Sequence, residues 1–100
     1  MALTITSTIT TPEGFEVTNA YGRIAVLDEI DGTRLISALR IYMNEQAFLD
    51  GKAPMGNLSF TTDATFAYDR ATDGNDILDL AHDGFIATLA SEGISATKNL

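Results

Sequence analysis

Apolar and polar residues alternate strictly at the start of the chain. Leu3, Ile5 and Ile9 fall on one parity, with the polar Ser7 between them, and Thr4, Thr6, Thr8 and Thr10 fall on the other. This two-residue period in β-favouring residues predicts a strand over residues 3–10 with one buried and one wet face. Such a strand, short and terminal, suits the edge of the chain's own sheet or addition to a neighbour's sheet. Pro12-Glu13-Gly14 ends it in a turn. Residues 15–28 form a second extended stretch, in which Gly22 signals a bend, a bulge or a close backbone approach. Asp31-Gly32 is the preferred pair for a two-residue type I′ hairpin, and residues 33–43 return. With that loop, Gly22, Ile24 and Val26 oppose Ile41, Leu39 and Ser37 on a core face. Tyr21, Arg23, Ala25, Leu27 and Glu29 then oppose Tyr42, Arg40, Ala38, Ile36 and Arg34 on the other. A slip of one residue sets Ile24 against Arg40 and destroys the sorting.

Beyond the hairpin, Asn44 is placed to cap a short helical turn and Gly51 to end it. Residues 52–57, with Pro54 and Gly56, read as loop. Residues 58–68 predict one strand or two short ones, with Leu58, Phe60, Phe66 and Tyr68 on one face. From Asp76 the period becomes helical. Ile77, Ala81, Phe85 and Leu89 recur at every fourth position with Leu78 and Ile86 beside them. Asn75 or Asp76 supplies the N-cap, Asp76 and Asp79 suit the positive helix start, and Gly93-Ile94 fits a Schellman ending. Gly84 inside this helix costs up to ~1 kcal/mol against Ala, which close packing on the sheet would offset. Residues 95–100 read as a loose tail. The expected architecture is a single α+β domain over residues 1–100, a mainly antiparallel sheet of four or five strands with one C-terminal amphipathic helix packed on it.

Composition narrows the function classes. One hundred residues suit one domain, and 45% apolar content is that of a globular chain. A net charge of −8 and an isoelectric point near 4.2 set the chain against phosphate backbones and anionic lipid, so neither nucleic acid nor a membrane is an expected partner. The chain contains 0 cysteines, so it offers no disulfide, no thiol nucleophile and no cysteine ligand for zinc. The opening Met1-Ala2-Leu3-Thr4-Ile5-Thr6 has neither the basic residue nor the long apolar run of a signal peptide.

Candidate chemistry is sparse. His82, between Asp79 and Asp83, has the type of a general base or a metal ligand, but beside the apolar stripe it reads as a boundary residue paired with a helical neighbour. Ser91, His82 and an aspartate compose a triad on paper, without the Gly-x-Ser-x-Gly elbow. The run from Asp69 to Asp76 resembles part of a calcium loop. Aligning Gly74 with the loop glycine puts Asp69 and Asp73 in ligand positions, yet Ala71 and Leu80 stand where further ligands belong, which rules out an EF-hand and leaves a looser calcium site or a solvated turn entering the helix. No catalytic residue and no cofactor are expected.

The distinctive surface is the one where Arg23 faces Arg40 between Tyr21 and Tyr42. Like charges directly opposite are unfavourable in a sheet, and Tyr and Arg are enriched in binding hot spots. These four residues form a candidate protein-interaction patch.

The segment Val17-Thr18-Asn19-Ala20-Tyr21-Gly22-Arg23-Ile24, followed by Ala38-Leu39-Arg40-Ile41-Tyr42, resembles small proteins encoded among the tail genes of tailed bacteriophages. These are similar in length, open with a Thr/Ile-rich strand and end with an aspartate-led helix, parts that residues 3–10 and the helix from Asp76 would play here. The departure is at the end, where Ser91-Glu92-Gly93-Ile94 replaces their Leu-Lys-x-Leu-Pro-like finish. The resemblance implies a non-enzymatic structural protein of the virion, made in the host bacterial cytoplasm. It would be an accessory subunit of the tail, tail tip or fibre-attachment region that assembles with other virion proteins and as a symmetric homo-oligomer. A capsid decoration protein is the alternative within that class. From another class comes a small carbohydrate- or ligand-binding β module anchored by exposed Tyr21, Tyr42 and Tyr68.

Overall fold

Residues 20–30 and 34–42 are rich in Ile, Leu, Val, Ala and Tyr, and they pair as the two longest strands. The computed structural model describes residues 2–56, 58, 60, 62–69 and 77–99. In chain order the elements are β1 (Ala2–Ile5), β2 (Ile9–Thr10), β3 (Glu16–Val17), β4 (Ala20–Ile30), β5 (Arg34–Tyr42), α1 (Glu45–Leu49), β6 (Asp63–Ala67), α2 (Ile77–Ser91) and β7 (Ala96–Asn99). Five strands form one antiparallel sheet in the order β6-β5-β4-β1-β7, and β2 and β3 make a small second sheet. The architecture is α+β, as the periodicities predict, with α2 packed on one face of the sheet.

That face is the core. Leu3 and Ile5 of β1, Ala20 of β4, and Leu39 and Ile41 of β5 are buried with Phe85 and Leu89 of α2 and with Phe60, while Ile9 and Val17 close one side from the small sheet. Gly22 lies under this cluster. A Cβ there would come within 3.3 Å of the side chains of both Ile41 and Leu39, so side chains, and not a neighbouring backbone, approach this glycine closely. Gly84 plays the same part on the helix. The Phe66 ring of β6 seats on it, at 2.7 Å from where a Cβ would stand, and meets Phe85 edge-on at 5.1 Å between ring centres. The helix ends as its residues dictate. Gly93 has φ 81°, Ile94 N–H donates to Leu89 O at 2.9 Å and Gly93 N–H to Ala90 O at 3.0 Å, the two bonds of a Schellman motif. Asn44 caps α1 by accepting from Ala47 N–H at 2.8 Å, and Gly51 follows its end with φ 74°.

Four expectations are corrected. The predicted strand over residues 3–10 is two strands in different sheets, parted at Thr6–Thr8. β1 is interior, between β4 and β7, so it neither forms an edge nor is available to a neighbour's sheet. It is interior because the supposed loose tail forms β7, with Lys98 opposite Leu3 and Ala96 opposite Ile5. Ser95 prepares this pairing, since its N–H donates to Ser7 Oγ at 2.8 Å and its carbonyl accepts from Thr6 N–H at 2.8 Å.

The fourth correction concerns the hairpin. Asp31 (φ 53°) and Gly32 (φ 66°) adopt left-handed backbone, and Thr33 N–H donates to Ile30 O at 3.0 Å, as a type I′ turn requires. Thr33 is nevertheless left out of the ladder, and Ile30 pairs with Arg34. The slip is undone at Ala25, where a bulge shifts the register, so Tyr21 to Ile24 pair as predicted with Tyr42 to Leu39. Between bulge and turn the predicted pairs fail. Val26 lies opposite Ala38 and Leu27 opposite Ser37. Ser37 is buried, and its hydroxyl donates to Val26 O at 2.8 Å, satisfying a carbonyl where the ladder is interrupted.

Two outcomes are expected. Gly84→Ala gains helix propensity but drives a methyl into Phe66, so it should lower stability by about 1–3 kcal/mol in urea unfolding; a gain would contradict the close contact. Lys98 Nζ stands 2.7 Å from Asp79 and 2.9 Å from Asp83, tying β7 to α2. Hydrogen bonds to Asp79 and then to Asp83 raise its pKa above the ordinary 10.5. A raised folded-state pKa means that the pairing stabilises fully below about pH 10.5 and is lost as the pH climbs through the raised value. Thermal melts in alkali should therefore fall more steeply for the natural chain than for Lys98→Met, and added salt should shrink the difference.

Candidate functional site

The sheet face opposite α2 carries the second parity of every strand. On β5 this is Arg34, Ile36, Ala38, Arg40 and Tyr42, whereas Leu35, Ser37, Leu39 and Ile41 are buried on the core side. The ladder places Tyr21 opposite Tyr42 and Arg23 opposite Arg40, so all four candidate residues share this outer face at the end away from the hairpin.

Sequence reasoning missed the residue that organises them. The chain leaves β5, turns at Asn44, and α1 folds back so that Phe48 covers the two tyrosines. Its ring centre is 5.5 Å from Tyr21 and 5.1 Å from Tyr42, and the Arg23 guanidinium carbon sits 4.6 Å above it. Arg23 Nη1 also donates to the Tyr21 hydroxyl at 3.3 Å. A cation over a ring face is held by the ring's negative quadrupole, so Arg23 is fixed by aromatic and hydroxyl groups instead of by an acid. Arg40 is exposed and has no hydrogen-bond or ion-pair partner among the described residues. Arg23, Ile24, Ala25, Arg40, Tyr42 and Phe48 enclose a shallow cavity of about 280 Å³. The signal that could have found Phe48 is its place four residues after the Asn44 cap, on a helical turn too short to bury an aromatic ring against itself.

The remainder of this face, toward the hairpin, is open. Val26 is 40% exposed and Ile36 41% exposed, and with Ala38, Asp63 and Thr65 they border a second hollow of about 320 Å³. Antiparallel sheets that face water do so with polar residues, and here apolar ones stand in their place.

The other candidates are accounted for differently. His82 is buried at 1% exposure, its Nδ1 is 2.6 Å from Leu78 O, and its Nε2 has no partner among the described residues. The expected pairing with a helical neighbour is thus with a backbone carbonyl, while Asp79 and Asp83 turn to Lys98. Ser91 Oγ donates to Thr88 O at 2.6 Å. The ring nitrogen that a triad's aspartate would orient is therefore already engaged. No group of His, Asp and Glu able to hold a metal is present among the described residues. The proposed calcium run lies outside them apart from Asp69. The three tyrosines do not form an exposed set of anchors, because Tyr21 and Tyr68 are buried.

Compared with known protein families, curated proteins and solved structures, the chain matches none. No helix among the described residues is long and apolar enough to cross a membrane.

Phe48→Ala should release Arg23 and uncover both tyrosines. The expected cost is about 1–3 kcal/mol in urea unfolding, less than for a fully buried ring. An unchanged midpoint would show that α1 does not hold the patch.

Proposed function

We propose that this chain is a non-enzymatic structural subunit that works by protein–protein assembly, in the particle of a tailed bacteriophage and most specifically in the tail, tail tip or fibre-attachment region. The observation that carries the assembly reading is the open outer face, where Val26 and Ile36 stand in water beside an exposed Arg40 that has no partner among the described residues. Exposed apolar side chains flanked by arginine and aromatic rings are what a protein contact surface presents. The phage setting is supported by the resemblance of residues 17–24 and 38–42, and these two segments supply all four patch residues, Tyr21 and Arg23 from β4 and Arg40 and Tyr42 from β5. A ligand-binding module is less well supported, since two of its three tyrosine anchors are buried.

The reading is tested on the particles themselves. Virions purified from cells carrying the gene in its genomic surroundings should contain the chain at a fixed copy number relative to the other virion proteins by quantitative mass spectrometry. Its absence from purified particles, with abundant chain free in the lysate, would overturn the phage assignment.

A further inference from the structure

We propose that the Arg23–Arg40 end of the outer face is a docking site for an extended acidic segment of another protein. One carboxylate of that segment seats on the two guanidinium groups, and an apolar side chain four residues along it packs on Val26 and Ile36. The proposal rests on the assembly reading and gives it a partner chemistry.

The charge of the face names the occupant. Three of the chain's 6 basic residues, Arg23, Arg34 and Arg40, fall on this face of a chain whose net charge is −8. Two acids share it. Asp28 stands opposite Ile36, one diagonal step from Arg34, and offsets that end. Asp63 stands opposite Ala38 on the edge strand β6, diagonal to Arg40, but makes no ion pair with it and borders the hollow beside Val26 and Ile36. Neither acid lines the hollow between the two arginines, whose described walls carry no carboxylate at all. The positive charge without an internal counter-ion is therefore concentrated at Arg23 and Arg40.

These two groups are prepared for a shared anion. They stand directly opposite one another across β4 and β5, an unfavourable pairing of like charges that one carboxylate relieves. Arg23 is held over the Phe48 ring with an N–H on the Tyr21 hydroxyl, so its orientation is set before anything binds. Arg40 is exposed and without a partner among the described residues. The planar fork of a guanidinium matches the two oxygens of a carboxylate. A shallow hollow of about 280 Å³ falls short of the usual small-molecule pocket, and it suits a side chain presented by a partner.

The apolar half of the face sets the spacing. Beyond Arg40, β5 presents the small Ala38 and then Ile36, with Val26 opposite Ala38. Ile36 is four residues from Arg40, about 13 Å at the rise of a strand, which is also the separation of two residues four apart on one side of an extended partner. Inorganic phosphate offers nothing to Val26 and Ile36, and the net charge of the chain opposes a nucleic acid. A second copy of this chain is not the complement, because its own face carries more arginines than acids.

The test uses the full chain and short end-capped threonine peptides in which glutamate and isoleucine stand four positions apart, in either order. Titration should move the amide signals of Arg23, Ile36 and Arg40 together in NMR spectra, and calorimetry gives the Kd. Exchanging the peptide's glutamate for glutamine should weaken binding at least about tenfold, and so should Arg40→Glu with the original peptide. A lysine-for-glutamate peptide should bind the Arg40→Glu chain at least about tenfold better than it binds the natural chain. Moving the isoleucine by one position, to the other side of the extended peptide, should cost at least about threefold. Lys52→Glu, the same charge change outside β4 and β5, should bind within about twofold of the natural chain, and circular-dichroism melts should show both variants folded. A peptide that binds no better than inorganic phosphate, or one indifferent to Arg40→Glu, overturns the proposal. So does a free chain that light scattering shows to be a dimer and that Arg40→Glu returns to 10.7 kDa, because the face would then be occupied by a second copy. Each of these results leaves the virion assay free to succeed, whereas loss of the chain from virions beside intact peptide binding would remove the phage assignment and keep the docking site.

Discussion

The ladder between β4 and β5 is the longest run of backbone pairing in the molecule, and one extra residue in it decides what each side of the sheet presents. Ala25 is squeezed out of register, so the strand before it and the strand after it point opposite parities toward α2. The interruption needs a donor for a stranded carbonyl, and the buried Ser37 hydroxyl provides it. Leu27 thereby turns inward with Ser37, and Val26 turns outward with Ala38. The outer placement of Val26 and Asp28 follows from that half-turn of side chains.

The core forms on the side of the sheet that α2 covers. α2 brings Phe85 and Leu89 onto Leu3, Ile5, Leu39 and Ile41, and Gly84 in the helix leaves room for the Phe66 ring as Gly22 in the sheet does for Ile41 and Leu39. Burial of these side chains at roughly 1.5–3 kcal/mol each dominates the stability of the fold. β7 closes the far edge, and its Lys98 reaches back to two carboxylates on the helix, so the last strand is held by backbone pairing and by charge together. A chain rich in acids gains twice from this arrangement, because one cation relieves the repulsion between Asp79 and Asp83 while it fixes the strand.

On the opposite side, α1 covers only the first third of the ladder. Its single aromatic, Phe48, holds Arg23 beside Arg40 through the ring face, together with the Tyr21 hydroxyl. The arginines therefore keep their charge available, and the apolar centre beyond them is left in water. A cost of this kind is tolerated when the surface has a partner.

Local pattern carried most of the elements. Alternation, the Asp31-Gly32 turn, the Asn44 cap, the fourfold recurrence from Ile77 to Leu89 and the Gly93 stop each depend on neighbours within a few residues, and all are present in the fold. The four patch residues were legible too, since their pairing follows from the half of the ladder beyond the bulge. What lay outside the reach of the sequence is set by contacts between distant segments. The bulge at Ala25 shifts the register between Ile24 and Val26, β7 is a strand because β1 offers it an edge, and Phe48 joins the patch because α1 folds back over β4 and β5. Local preference at those places is weak or divided, and the free energy of burial and pairing across the fold chooses among the alternatives.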